Sequence, residues 1–482
     1  MATAESEKLL HAEQPGTEVN EFIQRDFPEV GLEAPRSVLV LAASLVGAWA
    51  SAAGLIWFVS PGSAAFLIVI GTVLLVAYVP LRIAVMFLVV LAPFDLHRQV
   101  GSQWLYLDLL AAAIAIPLLR GRRWPPVLSW LLVPFSLYFL LSGGVRSLLP
   151  AWFWGYAVRW LIALCFSAAV ALSDSIEEIA IAAGVTLIPL SAYGMYQLFA
   201  GDFGGVYTWM NPHMLDQPWL SRSYSFLWHP NAFGNFAGMA SVMMIALGAR
   251  GYRSKLSFFL GACGLVGLLG SGSRGAEIGV ALAILVVLTQ TPRFWRKLAV
   301  IVIVAAIIAA ALHYEVIPLQ RAQALDDFTT ETRALAWGEA YFAWQQQPWI
   351  GLGTTNFQVL MENYGDFSTS HAHCTYLQIL AETGLVGFTL FYIPILYLLW
   401  RSWKSRAVPI VLAGGCALLV WMAHGLVDVT FQSNPQCLLL LFTVIGLIIG
   451  GLNQCSNQAN LATISEPGRF TQATRQAPWM AV

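Results

Sequence analysis

Long uncharged runs alternate with short polar turns along most of the chain. A helix that spans a bilayer needs about 20 mainly apolar residues, and about fourteen stretches fit or nearly fit this template. They lie near residues 38–59, 63–80, 82–94, 104–119, 127–142, 152–172, 178–199, 230–249, 256–273, 275–291, 297–313, 384–400, 408–429 and 434–451. The stretch 82–94 is short and holds Pro93 near its end, so the pair 63–94 could pack differently. The pattern predicts an all-α, polytopic membrane protein with about 12–14 transmembrane helices.

The positions of Lys and Arg predict the orientation of these spans. With the N-terminus in the cytoplasm, nearly all tight basic groups fall at cytoplasmic turns. They are Arg82, RGRRW (120–124), ARGYRSK (249–255), TPRFWRK (291–297) and RSWKSR (401–406). The turn SDSIEE (173–178) is acidic, but acidic residues have little influence on orientation. We therefore expect cytoplasmic polar tails at 1–36 and 452–482, on either side of a transmembrane domain at 37–451.

Two longer polar connections then fall on the outer side of the membrane, near residues 200–229 and 314–383. Within the second, ETRALAWGEAYFAWQQQ (331–347) has apolar residues at helical spacing. This spacing predicts an amphipathic helix at the interface, where Trp and Tyr side chains are favoured. We expect a single membrane domain with an outer-face helical loop.

The composition agrees with a membrane protein. The chain is 58% hydrophobic and 11% charged, whereas about a quarter of the residues in a soluble globular protein are charged. The basic residues occur in small groups between apolar segments, so no nucleic-acid partner is expected. The six cysteines lie mostly inside apolar runs and none forms a CxxC pair, which predicts neither a disulfide framework nor a zinc site.

Several charged or titratable residues lie near membrane depth on the outward side. A charge there costs about 2.5–3.5 kcal/mol on insertion scales and is usually functional. These residues are Arg159, Arg222, Arg274, Asp428, His371 and His373. Each also has a simpler interpretation: Arg159 could snorkel or pair with a carboxylate, and Arg222 could be a solvated loop residue. Likewise Arg274 could be an interfacial anchor, and the two histidines could form a polar rim.

Three other residues receive structural interpretations. His424 and Asp428 are four residues apart on one helical face, so a bond between them is the favoured interpretation. Glu382 lies nine residues after His373, off the face of that histidine, which favours a packing or supporting role. We expect no metal site, because two histidines at i and i+2 cannot both face one ion from a helix and no third ligand is obvious.

Outward-facing arginines beside histidines suggest a particular chemistry. Arg pairs bidentately with phosphate oxygens and keeps its charge, so a lipid diphosphate is a fitting ligand. A histidine titrates near neutral pH and suits proton removal from a sugar hydroxyl. Since no DxD pair is present to hold a divalent cation, the arginines would themselves stabilise the leaving group.

Four stretches, taken in order, resemble the O-antigen ligase and Wzy-type polymerase superfamily. They are RSYSFLWHPNAFGNF (222–236), GSRGAEIG (272–279), ETRALAWGEAYFAWQQQPWIGLGTTNF (331–357) and HAHCTYLQILAETGLVG (371–387). The resemblance extends over residues 200 to 430. It implies an integral-membrane glycosyltransferase of the GT-C type in the bacterial inner membrane, with its active site on the outer face.

The resemblance also implies partners and residue roles. The donor would be a glycan on undecaprenyl diphosphate, the acceptor lipid A–core or a lipid-linked repeat unit, and no cofactor would be needed. The catalytic set would be His373 as the base with Arg222 and Arg274 on the diphosphate, and Arg159, His371 and Asn231 would bind substrate. A single, metal-independent displacement would invert the anomeric centre. Cys374 stands where the family has Asn, and a thiol is a poor replacement for an amide in hydrogen bonding.

Alternatives remain open at this point. Ligases and polymerases share a donor site and differ in the acceptor pocket, which the motifs do not define. Membrane transporters of the inorganic-carbon type share the Pro-Asn and Ser-Arg-Gly segments. The sequence shows no internal repeat and gathers its polar residues at one face, which favours the enzyme over the transporter. A third possibility is a member that only scaffolds a polysaccharide assembly complex.

Overall fold

The computed structural model describes residues 81–94, 125–200, 222–227, 229–290, 326–359, 371–430 and 434–465. All of them belong to one compact unit, Val69–Val482. Within these ranges the chain forms helices and no strand, so the predicted all-α class is confirmed. The predicted spans at 38–59, 63–80, 104–119 and 297–313 lie wholly outside the described residues.

The described helices follow one another in a simple order. In chain order they are α1 (Leu81–Leu91), α2 (Pro126–Arg146), α3 (Pro150–Ala171), α4 (Ile176–Val185), α5 (Leu187–Ala200), α6 (Pro230–Ala249), α7 (Ser254–Ser271), α8 (Arg274–Thr289), α9 (Asp326–Gln346), α10 (Thr375–Lys404), α11 (Pro409–His424) and α12 (Pro435–Ser465). Four of them, α2, α3, α6 and α11, begin with Pro at a first-turn position, where its missing N–H leaves no hydrogen bond unmade.

Seven helical segments in the described ranges are long and apolar enough to cross a membrane, with α4 and α5 counted as one segment. The predicted multi-pass architecture is thus confirmed. Two boundaries differ from the prediction and both matter for the site. Helix α10 begins at Thr375 rather than near 384. Helix α11 ends at His424, so Asp428 lies beyond the helix instead of closing the span.

The amphipathic helix predicted at 331–347 is present as α9. It belongs to the outer connection predicted at 314–383, and it packs against α10. The last predicted span is longer than expected, since α12 continues to Ser465, past the boundary placed at 451.

Helix α6 lies at the centre of the described helices and is buried along almost its whole length. It packs against α7, α8 and α11. Glycines on α6 and α7 permit the close approach: a Cβ at Gly264 would lie 2.4 Å from Ser241 Oγ, and one at Gly234 would lie 2.4 Å from Ser273 Cβ. Small residues at helix contacts let backbones pack closely in membrane proteins. The start of α6 is therefore held firmly against the junction between α7 and α8.

A break in α10 ties the outer connection to the membrane helices. Gly384 interrupts the helix with φ 65° and ψ −170°, a conformation that favours glycine. The segment after α9 pairs with the broken turn through backbone N–H groups, in the bonds Leu352 N to Ala381 O, Gly353 N to Glu382 O, Leu385 N to Pro348 O and Val386 N to Trp349 O, of 2.8–3.1 Å. A Cβ at Gly351 would lie 2.3 Å from the backbone of Glu382. Two glycines thus allow the two backbones to pair, which fixes the end of α9 on α10.

Candidate functional site

Arg222 lies in the short segment 222–227, which packs on the end of α7. Its Nε donates to Ser271 O at 2.7 Å, and its Nη2 donates to Asn231 Oδ1 at the start of α6. The backbone N–H of Ser223 donates to Gly270 O at 3.0 Å, so the segment and α7 are joined twice. Arg222 is partly buried. These two hydrogen bonds use Nε and Nη2, so they fix the orientation of the planar guanidinium group.

Helix α6 brings two polar residues to the same place. His229 is its N-cap residue, and its Nδ1 accepts a hydrogen bond from Asn231 N at 3.2 Å. Burial lowers the pKa of His229 to about 4; Asp428 acts in the opposite direction, and Arg222, His371 and His373 lower it further. His229 is therefore neutral at neutral pH. The arginine, the histidine pair and the aspartate therefore all lie within electrostatic range of His229.

The junction of α7 and α8 supplies a serine and the next arginine. Gly272 takes the left-handed conformation with φ 56°, and Ser273 caps α8. Ser273 Oγ lies 3.2 Å from His424 Nε2, which joins the start of α8 to the end of α11. Arg274 is the first residue of α8 and is exposed. It directly follows Ser273, whose hydroxyl contacts His424.

His371 and His373 lie in a non-helical segment just before α10. Their rings are 4.3 Å apart between centroids, and each side chain is about a quarter exposed, at 23%. His373 has φ 49°, an uncommon conformation for a residue with a side chain. Its carbonyl oxygen accepts a hydrogen bond from Trp337 Nε1 of α9 at 3.3 Å. The outer-loop helix therefore helps to hold the strained residue in place.

Asp428 faces both histidines from the turn after α11. Its Oδ1 lies 3.7 Å from His371 Nε2 and 3.6 Å from His373 Nδ1, and it accepts a 2.8 Å hydrogen bond from Val429 N. Burial alone would raise the pKa of Asp428. His371, His373, His229 and His424 outweigh that effect, so its pKa lies well below the ordinary range. Asp428 is therefore a buried carboxylate that stays ionised.

This arrangement corrects two interpretations of the sequence. His424 and Asp428 were expected to bond each other, but the His424 ring contacts Ser273 and the Asp428 carboxylate faces the other two histidines. A metal site was not expected because both histidines were placed on a helix without a third ligand. The histidines instead precede the helix, and Asp428 joins them: the three ligand atoms lie within 4.8 Å of one another.

The two histidines differ in which ring nitrogen faces the carboxylate. His373 presents Nδ1 to Asp428 and so leaves Nε2 for a substrate, whereas His371 presents Nε2. A carboxylate at Nδ1 with a free Nε2 is the arrangement that orients a general base in hydrolase triads. The distances to Asp428 are nearly equal, so this choice of nitrogen is what favours His373.

Glu382 supports the turn that carries His371 and His373 through a chain of hydrogen bonds. Its Oε1 accepts a 2.8 Å hydrogen bond from Gln378 Nε2, and Gln378 Oε1 accepts a 2.7 Å bond from the backbone N–H of Ala372. Ala372 separates the two histidines and is fully buried. The supporting role expected for Glu382 fits this chain of hydrogen bonds, which runs from the helix to the turn.

The sequence analysis missed two residues near the site. A third residue, Arg159, was predicted, and only its electrostatic effect on a neighbouring tyrosine relates it to the other groups. His229 and Arg333 were not singled out; Arg333 lies on α9 within electrostatic range of His424. The sequence signal for Arg333 was its position early in the amphipathic ETRALAW stretch. Arg159 lies on α3, partly buried, and both it and Glu382 are within electrostatic range of Tyr156. Arg159 and Glu382 are therefore near enough to the same tyrosine to act on it electrostatically.

Cys374, at the position of the family's Asn, is the N-cap residue of α10 and makes no side-chain capping hydrogen bond. Burial raises the pKa of its thiol, so the group stays protonated and is a weak acceptor. Asn is among the best N-cap residues, since its side-chain oxygen accepts from the free N–H groups of the first turn. The family's Asn would thus act here as a helix cap.

We expect Cys374→Asn to stabilise the protein. A good cap in place of a residue that does not cap is worth about 0.5–2 kcal/mol of the free energy of unfolding. Thermal unfolding in detergent micelles, followed by intrinsic tryptophan fluorescence, would measure the gain. Cys374→Ala is the matched control, because it removes the thiol without adding a cap. Equal midpoints for the Asn and Ala variants would show that the position does not act as a cap.

Residues 256–392 match the family model described as O-Antigen ligase, Wzy_C. This segment is thus similar to an O-antigen ligase domain. The superfamily predicted from the four motifs is therefore confirmed. No curated protein matches the chain. The matched segment includes Arg274, α9 and the turn that carries His371 and His373, whereas Arg222, Asn231 and Asp428 lie outside it. Residues on both sides of the matched segment thus contribute to the candidate site.

Proposed function

We propose that this multi-pass membrane protein transfers a glycan from undecaprenyl diphosphate to a sugar hydroxyl, on the outer face of the bacterial inner membrane. The observation that carries the proposal is the approach of His373 Nδ1 to Asp428, beside Arg222. These groups come from three distant parts of the chain. An ionised carboxylate, an oriented imidazole and a fixed guanidinium are the parts that a transfer from a diphosphate donor needs.

His373 serves as the general base. With Nδ1 directed at Asp428, its Nε2 is left to accept the proton of the acceptor hydroxyl. Asp428 holds the ring in that orientation and stabilises the imidazolium once it forms. Because the Asp428 carboxylate is buried and its pKa lies well below the ordinary range, it remains available for this role at neutral pH.

The arginines act on the donor diphosphate. Arg222 is held by Ser271 O and Asn231 Oδ1, and Arg274 stands at the N-terminus of α8, where the helix dipole also favours an anion. Arg159 and His371 are proposed to bind substrate at the two sides of this centre. Fixed positive charge stabilises the charge that develops on the leaving group.

The reaction is a single displacement. The acceptor oxygen forms a bond to the anomeric carbon while its proton passes to His373. The bond from the anomeric carbon to the phosphate oxygen breaks, and its electron pair leaves with undecaprenyl diphosphate. Attack from the face opposite the leaving group inverts the anomeric centre. The chemistry of these steps uses only side chains of the protein, so we propose that no metal is needed.

The family match supports the ligase or polymerase alternative and gives no support to a transporter. The acceptor therefore decides between the two enzymes. A ligase would use lipid A–core as acceptor, and a polymerase would use another lipid-linked repeat unit.

A transfer assay with the full-length protein in lipid nanodiscs tests this function. The donor is a synthetic glycan on undecaprenyl diphosphate, offered with lipid A–core, with a second lipid-linked repeat unit, or with neither. We expect a longer glycan with one of the two acceptors, undiminished in EDTA, and an inverted linkage by NMR. Failure to use the donor with either acceptor, or loss of activity in EDTA that Mg²⁺ restores, would contradict the proposal.

A further inference from the structure

We propose that His371, His373 and Asp428 form a binding site for a transition-metal dication, with Zn²⁺ as the best fit, and that the bound metal inhibits the enzyme. The inhibitory part rests on the proposed function of His373, whereas metal binding does not. The three ligand atoms are His371 Nε2, His373 Nδ1 and Asp428 Oδ1, and they lie within 4.8 Å of one another.

The distances suit a small metal ion after a modest contraction. Zinc bonds of about 2.0–2.1 Å in tetrahedral geometry place ligand atoms about 3.3 Å apart. Asp428 Oδ1 lies 3.7 Å from His371 Nε2 and 3.6 Å from His373 Nδ1. Closing these two gaps needs a movement of a few tenths of an ångström. The two histidine nitrogens, which lie within 4.8 Å of each other, approach by up to about 1.5 Å through the partly exposed His371 and His373 side chains, while Asp428 stays buried.

The ligand types favour zinc over the common hard cations. Imidazole nitrogen suits zinc and other late transition metals, whereas Mg²⁺ and Ca²⁺ prefer oxygen ligands. Three protein ligands leave a fourth position open, as in catalytic rather than structural zinc sites. The site should therefore exchange its metal and should accept a water molecule or another ligand.

The surrounding contacts hold the three ligands in place. Val429 N donates to Asp428 Oδ1, and Thr375 Oγ1 donates to Asp428 O at 2.8 Å. Ala372 N is bonded to Gln378, and His373 O is bonded to Trp337. Such outer contacts orient metal ligands and commonly raise affinity. They join three separate elements, so the cluster is a built site and not a chance meeting of mobile side chains.

Metal at this site would block the base. The Nδ1 of His373 that faces Asp428 would be bound to the metal, and the carboxylate would no longer orient the ring. Positive charge also lies near the site. Arg222 and all three proposed ligands affect the pKa of His229, so they lie within electrostatic range of the same ring. This charge opposes a dication and indicates reversible, moderate binding.

Metal binding is tested with Zn²⁺ titrated into tag-free protein against a fluorescent zinc indicator. We expect one equivalent to bind, and His371→Ala and Asp428→Asn to weaken binding by more than about 100-fold, since even outer-contact changes cost about 10–100-fold. His11→Ala and Cys374→Ser are the controls and should keep the site. Unchanged binding in His371→Ala, no stoichiometric binding, or a cobalt–thiolate charge-transfer band with Co²⁺ would overturn the site.

Inhibition is measured separately, in the transfer assay with Zn²⁺ and with EDTA. Each variant is compared with its own metal-free activity, and size-exclusion elution confirms that it is folded. We expect Zn²⁺ to inhibit transfer by the wild-type protein and EDTA to restore the activity. The remaining activity of His371→Ala should be insensitive to Zn²⁺. Binding without inhibition would overturn the inhibitory role and would also count against His373 as the base. The protein could also bind no zinc while its activity still depends on His373. That result would refute the metal site and leave the proposed function intact.

Discussion

Replacing His373 with Gln should lower the turnover of glycan transfer by about 10²–10⁴-fold, the usual contribution of a general base. Gln keeps approximate size and hydrogen-bonding capacity but cannot accept the proton of the acceptor hydroxyl. The KM for the donor should change little, because the diphosphate is held elsewhere. Initial rates with the lipid-linked donor at several concentrations separate kcat from KM.

His371→Gln is the matched comparison for this experiment. It lies two residues away, shares Asp428 and has the same 23% exposure, but it presents the other ring nitrogen to the carboxylate. We therefore expect a clearly smaller loss of turnover than for His373→Gln. If the His371 variant loses more, the base is His371. If neither variant loses turnover, the histidine–aspartate mechanism is wrong.

Replacing Arg222 with Ala should lower kcat/KM by about 10²–10³-fold, the range seen when a group that stabilises a developing negative charge is removed. Arg222→Lys should restore only part of the loss. Lys keeps the charge but cannot reproduce a planar fork that bonds Ser271 O and Asn231 Oδ1 together with a phosphate. Donor binding to the variants, measured without acceptor, shows how much of the effect is already present in the ground state.

Two controls separate the role of Arg222 from a structural one. Arg253→Ala removes an arginine at the opposite end of the 18-residue helix α7, about 27 Å away, and should leave transfer unchanged. Asn231→Ala removes one hydrogen bond of Arg222 but keeps the guanidinium, so it should cost less than Arg222→Ala. An Arg253 effect as large as the Arg222 effect would mean that charge on the protein as a whole, and not the site, is responsible.

Much of the fold could be predicted from hydrophobic pattern alone. A bilayer requires long apolar helices, because backbone groups cannot be left unbonded in hydrocarbon. For that reason the spans near 127–142, 152–172, 178–199, 230–249 and 256–273 appear as helices at or close to the predicted positions. The outer-loop helix was equally visible, since apolar residues at helical spacing in a polar connection favour an amphipathic helix.

Helix ends were harder to predict, and the errors lie at the site. Hydropathy marks where a helix is buried in lipid, but it does not mark where the backbone leaves the helix. Thr375, Gln378 and Glu382 are polar, so the first part of α10 was assigned to a loop. Asp428 follows an apolar stretch, so it was assigned to a helix. Contacts with other segments, such as Thr375 N to Gly425 O at 2.7 Å, decide both boundaries.

The sequence by itself determined the class of protein, the family and the residue types of the site, because lipid dictates helix length and short motifs keep their order along the chain. It also predicted Arg222, Arg274 and His373 as site residues, and these stay predictions. Only the tertiary structure decided that the Asp428 carboxylate faces His371 and His373 rather than His424, and that His229 lies within electrostatic range of all three. The physical reason is that a carboxylate pairs with whichever group the packing of distant helices brings within a few ångströms. Spacing along one helix does not contain that information.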